Sequence, residues 1–347
     1  MTKTRPIMKY ETIMKKITDG LTGDPQKDIP YLMEQTKKYK DHEMGTEILR
    51  ACGRLMSQCV PEDTKEEVTK IIQEKIDFFN DTLHEARVAQ REQKFDEALT
   101  AIEKAVHEIE ELGFYKDDRV SEYRCFNEFF EEVLYREYEK PTKTLRYPDF
   151  PTDQIYLQYG SSLIDAGRPK DAEAALTTAM RWNPASVDIA IERAEACKLQ
   201  GKLEDFFKIT LDSFKYAFRP KQVARCFRNL GFYFAEKTMW RESAACLKLS
   251  IQFDRESEMA FSEILYIETT AGKDVNLLLS PEEIQEIAKK YNFPFGAHKD
   301  VLGLSYTYGE YFADKGDADL AEYCWQITYG LTGDENIKKL IDNLPKH

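Results

Sequence analysis

An all-α fold, a solenoid of helix hairpins, is predicted by three observations. Between Asp153 and Ser257 one pattern of small and bulky residues comes round three times. Gly167, Pro184, Gly201 and Pro220 fall at its joints. Between the joints, apolar residues recur every three to four positions, the period of one helix face. The first copy reads Tyr156, Tyr159, Gly160, Leu163, then Gly167, Ala172, Leu176, Ala179 and Pro184. Its bulky residues mark one face of a first helix, Gly160 lets a neighbouring helix come close, and Gly167 ends it. Ala172 to Ala179 repeat the face in a second helix, and Pro184 closes the unit. The second copy keeps Ala194, Cys197 and Gly201, and the third runs Phe227, Leu230, Gly231, Phe234, Ser243, Leu247 and Ser250.

These positions resemble the 34-residue tetratricopeptide repeat of the bacterial type. The resemblance implies a right-handed α-solenoid over 64–347, with its clearest repeats at 153–186, 187–220, 224–257 and 302–335. An N-terminal helical bundle over 1–63 precedes it, and a C-terminal capping helix closes it. Phe206 stands where the family has a small residue, which predicts a splayed second hairpin.

Taken in order, Ile7, Tyr10, Ile13, Met14 and Ile17 predict a first helix that Gly20 and Gly23 stop. Asp24-Pro25 and Ile29-Pro30 punctuate a second helix ending near Tyr39, and Met44, Ile48, Leu49, Cys52, Leu55, Met56 and Cys59 give a third a broad apolar face. After Pro61, Thr64 with Glu67 reads as a capping box ahead of a long helix through Ile76, Phe79, Leu83 and Ala86. Ala86 and Ala89, then Ala98, Ile102 and Ala105, form a degenerate first hairpin that Gly113 ends. An aromatic helix is expected from about Arg119 to Glu139, buried on more than one side. Pro141 to Pro151 cannot continue it and reads as a long extended loop. It is either a plain connection or, through Tyr147 and Phe150, the chain's own ligand laid in a groove. Phe261, Ile264, Leu265 and Ile267 supply another first helix, whose partner is delayed by 272–279 until Ser280 and Pro281 cap it. Asn292 to Gly296 ends that helix. A last repeat carries Tyr308, Gly309, Phe312, Gly316, Ala321 and Trp325, and 334–344 reads as the lid.

A formal charge of −13 over 347 residues argues against a general nucleic-acid binder, which needs clustered Lys and Arg. The first sixty residues hold 11 Lys and Arg against 8 Asp and Glu, an excess that a solvated surface accommodates. No apolar run is long enough to span a bilayer and the N-terminus lacks a secretion-signal core, so a cytoplasmic protein without membrane association is expected. Seven scattered cysteines with no Cys-x-x-Cys pair read as buried reduced thiols.

None of the His-Glu pairs at 42, 84 and 107 has a second histidine one turn on, and no complete phosphate loop, nucleophile elbow or dinucleotide fingerprint is present. No enzyme activity, cofactor or metal is expected. The resemblance implies instead that first helices line a concave face whose second, fifth and ninth repeat positions touch a protein or peptide. Those positions are Gln154, Leu157 and Ser161; Asp188, Ile191 and Glu195; Arg225, Arg228 and Phe232; Met259, Ser262 and Tyr266; and Gly303, Tyr306 and Glu310. Arg225, Arg228, Phe232, Tyr266 and Tyr306 are the candidate binding residues. Arg225, Arg228 and Phe232 share a helix face and offer forked donors beside an aromatic surface. They either hold a ligand carboxylate or pair with carboxylates of neighbouring helices. Leu157 and Ser161 do not supply the Lys and Asn of the family's chaperone-tail clamp. Two functions fit: a binding module and scaffold without turnover, or a peptide-sensing regulator whose N-terminal helices act as an output module on another protein.

Overall fold

The computed structural model describes residues 5–59, 62–113, 115–272 and 275–345, with the side chains of 5–8, 62 and 63 outside that description. Pro61 and part of the 272–279 interval lie outside the described residues. Among the described residues seventeen helices make the structure 73% helical, so the fold is all-α as predicted. The chain divides into two compact units, residues 1–125 with 139–155, and residues 126–138 with 156–347.

In the first unit, α1 (Arg5–Thr18), α2 (Pro25–Lys38) and α3 (Gly45–Gln58) bury Ile17, Leu32, Met44, Ile48 and Cys52 together with Val120. The loop before α2 is pinned by the Asp28 carboxylate, which accepts from the Thr22 amide at 2.8 Å, the Thr22 hydroxyl at 2.9 Å and the Gly23 amide at 2.8 Å. These donors favour the ionised form and hold its pKa below the usual range. α4 (Glu62–Arg91) and α5 (Phe95–Leu112) form the degenerate hairpin, with Ala86, Ala98, Ile102 and Ala105 buried and Gly113 in the left-handed conformation that ends α5. Because α4 begins at Glu62, Thr64 lies inside its first turn and is not the N-cap.

The aromatic helix expected from Arg119 starts ten residues later, as α6 (Phe129–Glu139). Asp118 accepts from the Val120 and Ser121 amides at 3.0 and 2.8 Å, and Asp117 accepts from the Tyr123 amide at 2.8 Å. Such side-chain acceptors offer the backbone an alternative to helix. The stretch becomes β1 (Ser121–Tyr123), paired in parallel with β2 (Thr144–Arg146). The Pro-rich segment is therefore partly strand. It belongs to the first unit, where Phe150 is buried and stacks on Phe79 at 4.0 Å while Tyr147 is half exposed.

The second unit is a tandem of hairpins: α7 (Thr152–Asp165), from residue 156 on, with α8 (Pro169–Trp182), α9 (Val187–Leu199) with α10 (Leu203–Ser213), and α11 (Pro220–Glu236) with α12 (Trp240–Phe253). Next come α13 (Glu258–Thr270) and α14 (Pro281–Tyr291), then α15 (Lys299–Lys315) with α16 (Ala318–Thr332), and the lid α17 (Glu335–Asp342) with Ile337 buried. Ser280 caps α14 in a capping box with Glu283, and Asn292 ends it in the left-handed conformation, both as predicted. Phe206 is accommodated against Ala194 and Cys197 within the second hairpin.

Glycine sets the closeness of the hairpins. A Cβ at Gly160 would fall within 2.7 Å of Leu176 Cδ2, and one at Gly231 within 2.9 Å of Leu247 Cγ. Gly160→Leu is therefore expected to destabilise by about 1–3 kcal/mol through overpacking, while Asp165→Leu, on the exposed end of the same helix, changes little. Thermal melts of the two variants check this; equal midpoints would place Gly160 in the wrong register.

Within this unit α6 is seated among the hairpins, buried at Phe130, Glu131, Val133, Leu134 and Tyr135, on more than one side as its composition predicts. Phe130 meets Phe218 at 5.4 Å, Phe129 meets Phe312 at 5.5 Å, and Tyr138 meets Tyr216 at 5.3 Å. Asn183 donates to the Glu131 carboxylate at 3.0 Å in a buried contact. Glu128, just before the helix, pairs with Arg219 and accepts from the Tyr323 hydroxyl at 3.2 Å.

Candidate functional site

The first helices of three successive repeats, α9, α11 and α13, carry the candidate residues Arg225, Arg228, Phe232 and Tyr266. Ser186 starts α9 by accepting from the Ile189 amide, and Ser257 starts α13 by accepting from the Ala260 amide. α11 starts with Pro220 at its first turn, and the Gln222 side chain accepts from the Phe218 and Arg219 amides at 3.3 and 3.2 Å. α11 turns Val223, Cys226, Phe227, Leu230 and Phe234 into the core. The helical period then places Arg225, Arg228 and Phe232 together on the remaining face.

Arg228 is largely buried, at 11% exposure. Its Nη1 reaches Asp254 and Ser250 at 3.4 Å each, long for charge-assisted hydrogen bonds. Ser250 donates its own proton to the Ala224 carbonyl at 2.9 Å. Burial and the neighbouring Arg225 both lower the Arg228 pKa, against the attraction of Asp254 and Glu263. The Nε atoms of Arg225 and Arg228 are buried without a hydrogen bond among the described residues, as is the Oε2 of Glu263. Buried polar atoms of this kind are ordinarily satisfied, by ordered water or by a bound group.

Two carboxyls bracket the arginines. Burial raises the pKa of Glu192 on α9, with Arg225 opposing and Glu195, Asp165 and Asp188 adding to the rise. Burial likewise raises that of Glu263 on α13, opposed by Arg228, Arg225 and Lys198. The arginines thus fail to offset the desolvation of either group, which marks a cluster whose charges are gathered but not closed into tight pairs. Lys198 pairs with Glu195 at 2.6 Å and lies 4.8 Å over the Phe232 ring, which meets Phe206 edge-on at 5.7 Å. The result is a polar floor of both signs beside one aromatic wall.

The other two candidates differ in setting. Tyr266 is exposed on α13, and Tyr306 on α15 hydrogen-bonds to Glu310 of its own helix. Glu192 and Glu263 were not among the candidates because they occupy the sixth repeat position, one residue past the expected fifth. Their carboxylates at corresponding places on α9 and α13, flanking an arginine pair, were the available signal. The seven cysteines are free and all but Cys59 are buried. Burial pushes the Cys125 and Cys226 thiols up to about 12, which keeps them protonated.

The raised carboxyl pKa values have a pH signature. Above the unfolded value of about 4.3 the raised pKa values make the folded chain bind more protons at Glu192 and Glu263 than the unfolded chain does, so their contribution to stability is full below that value and declines as pH rises above it. The Glu192→Gln, Glu263→Gln double variant is expected to match the parent near pH 4.3 and to gain on it toward neutrality. Paired thermal melts across that range check this. A difference that stays flat or shrinks with pH would mean the two carboxyls are solvated.

No protein-family model and no curated protein matches the chain. A solved structure described as the functional characterization of Pseudomonas aeruginosa pilF is similar over 77% of this chain and 97% of its own, at 10% identity and a TM-score of 0.41. Among the described residues no helix is long and apolar enough to cross a membrane.

Proposed function

We propose that this chain is a non-enzymatic binding module and scaffold whose α9–α11–α13 face takes up a protein or peptide segment bearing a carboxylate. The observation that carries this reading is Arg225, whose charge acts on both Glu192 on one helix and Glu263 on another and whose buried Nε has no hydrogen bond among the described residues. A peptide supplies what the cluster lacks: a carboxylate for the guanidinium fork and N–H groups for the Glu263 oxygen. Phe232 and Tyr266 offer rings to an apolar neighbour of that carboxylate.

Selection from a displayed random-peptide library tests the reading. Enriched sequences should share an acidic residue or free C-terminus beside an apolar one, and should bind Arg225→Ala at least about tenfold more weakly, the loss of one charge-assisted hydrogen bond. Enriched peptides that bind Arg225→Ala as well as the parent would remove the site from this face.

A second reading, a peptide-sensing regulator acting on another protein, is favoured by one feature. α6 belongs to the hairpin unit through residue 138, while the stretches before and after it belong to the other unit. A ligand that alters the hairpins would then bear on a helix that the chain continues at both ends into the first unit. Hydrogen exchange of α1 to α3 with and without a selected peptide separates the readings: a change in protection supports regulation, and none leaves the scaffold.

A further inference from the structure

In the regular hairpins, a small residue of the first helix receives a bulky side chain of the second: Gly160 faces Leu176, Gly231 faces Leu247 and Gly309 faces Trp325. α13 breaks this rule. Leu265 stands where the repeat register places those glycines, and a helix cannot approach it as closely. α14, the helix that should complete the hairpin, packs elsewhere. Its Glu283 pairs with Arg241 of α12 at 2.6 Å, its Tyr291 donates to Glu242 at 3.2 Å, and the Tyr291 ring meets Phe234 of α11 at 4.9 Å. Lys248 of α12 holds the preceding loop through the Leu277 carbonyl at 2.9 Å.

α13 is consequently left with an open side. Only Ala260 and Ile267 are buried, while Met259, Phe261, Leu265 and Tyr266 are each at least half exposed. A helix apolar on most of its circumference belongs in an interior. Glu258, Phe261, Leu265 and Glu268 descend one face at spacings of three, four and three, an apolar centre with an exposed carboxylate at each end. α13 contains no basic residue.

We infer that the open side of α13 is a docking surface for an amphipathic helix of a partner protein, one with an apolar face bracketed by Lys or Arg. This helix takes the hairpin place that α14 leaves. Charge decides between occupants. Two α13 helices packed face to face would bring Glu258 and Glu268 against their counterparts, in a protein of net charge −13, whereas a basic-flanked helix pairs with both. The docking face, Glu258, Phe261, Leu265 and Glu268, includes neither Arg225 nor the Glu263 and Tyr266 of the carboxylate site.

Fluorescence anisotropy with two synthetic helical peptides tests the inference. Both carry the same leucine stripe; one is flanked by lysines and the other by glutamates. The lysine peptide should bind the full chain at least about tenfold more tightly than the glutamate peptide, and Leu265→Ser and Glu258→Gln, Glu268→Gln should each weaken it about tenfold. Because all three substituted positions are exposed, circular dichroism should show the fold unchanged. Arg225→Ala should leave this binding intact, so its outcome is independent of the carboxylate site. Absence of binding, binding indifferent to Leu265→Ser, or a dimer of the free protein that Leu265→Ser dissolves would each overturn the inference.

Discussion

Phe130→Ala is expected to cost about 3–5 kcal/mol of unfolding free energy in the hairpin unit, the largest loss from any single truncation in α6. Phe130 is fully buried and meets Phe218 edge to face. Its removal leaves a cavity between a helix and the hairpins that hold it, where the fixed hairpin backbone limits collapse. Phe129, partly exposed against Phe312, is the control and should cost markedly less. Urea denaturation followed by far-UV circular dichroism measures both. Similar midpoints for the two variants would mean that α6 is a surface helix and does not hold the hairpins.

The second large effect is expected from Arg228→Glu. The new carboxylate would lie beside Asp254 and near Glu263 in a position only a tenth exposed, and the Arg228–Asp254 ion pair would be lost. Removing one partner of a buried pair costs about 3–5 kcal/mol, and the residual exposure of Asp254 places this case toward the lower end. Adding Asp254→Lys to Arg228→Glu should restore part of the loss by reversing the pair. A single variant as stable as the parent, or a double variant no better than the single, would show that the Arg228–Asp254 contact contributes little.

The hairpins were legible in the sequence because small residues at Gly160, Gly231 and Gly309 and caps at Ser280, Gly113 and Asn292 act locally, and local chemistry is what a sequence displays. The false start of the aromatic helix has the opposite cause. Residues 119–128 have helical-looking apolar spacing, but Asp117 and Asp118 capture amides of the stretch and Ser121–Tyr123 pair with the distant strand Thr144–Arg146. That partnership is not local. The candidate site was half legible. Arg225, Arg228 and Phe232 share a face by periodicity alone, whereas the contributions of Glu192 and Glu263 follow from which helices become neighbours. Of the two readings of Pro141 to Pro151, a plain connection or a segment laid in a groove, the second rested on its apolar residues. Phe150 is indeed buried, but under α4 in the first unit, and the segment seated among the hairpins is α6.

A double-mutant cycle between Arg225 and the ligand carboxylate tests most directly whether this face binds peptides through its arginine. A peptide selected on the parent protein and its amide isostere are each titrated against the parent and against Arg225→Ala by isothermal calorimetry. If the guanidinium takes the carboxylate, the two changes are non-additive, with a coupling of at least about 1 kcal/mol, and the amide peptide binds both proteins alike. Additive losses, within about 0.5 kcal/mol, would mean that Arg225 and the carboxylate do not meet.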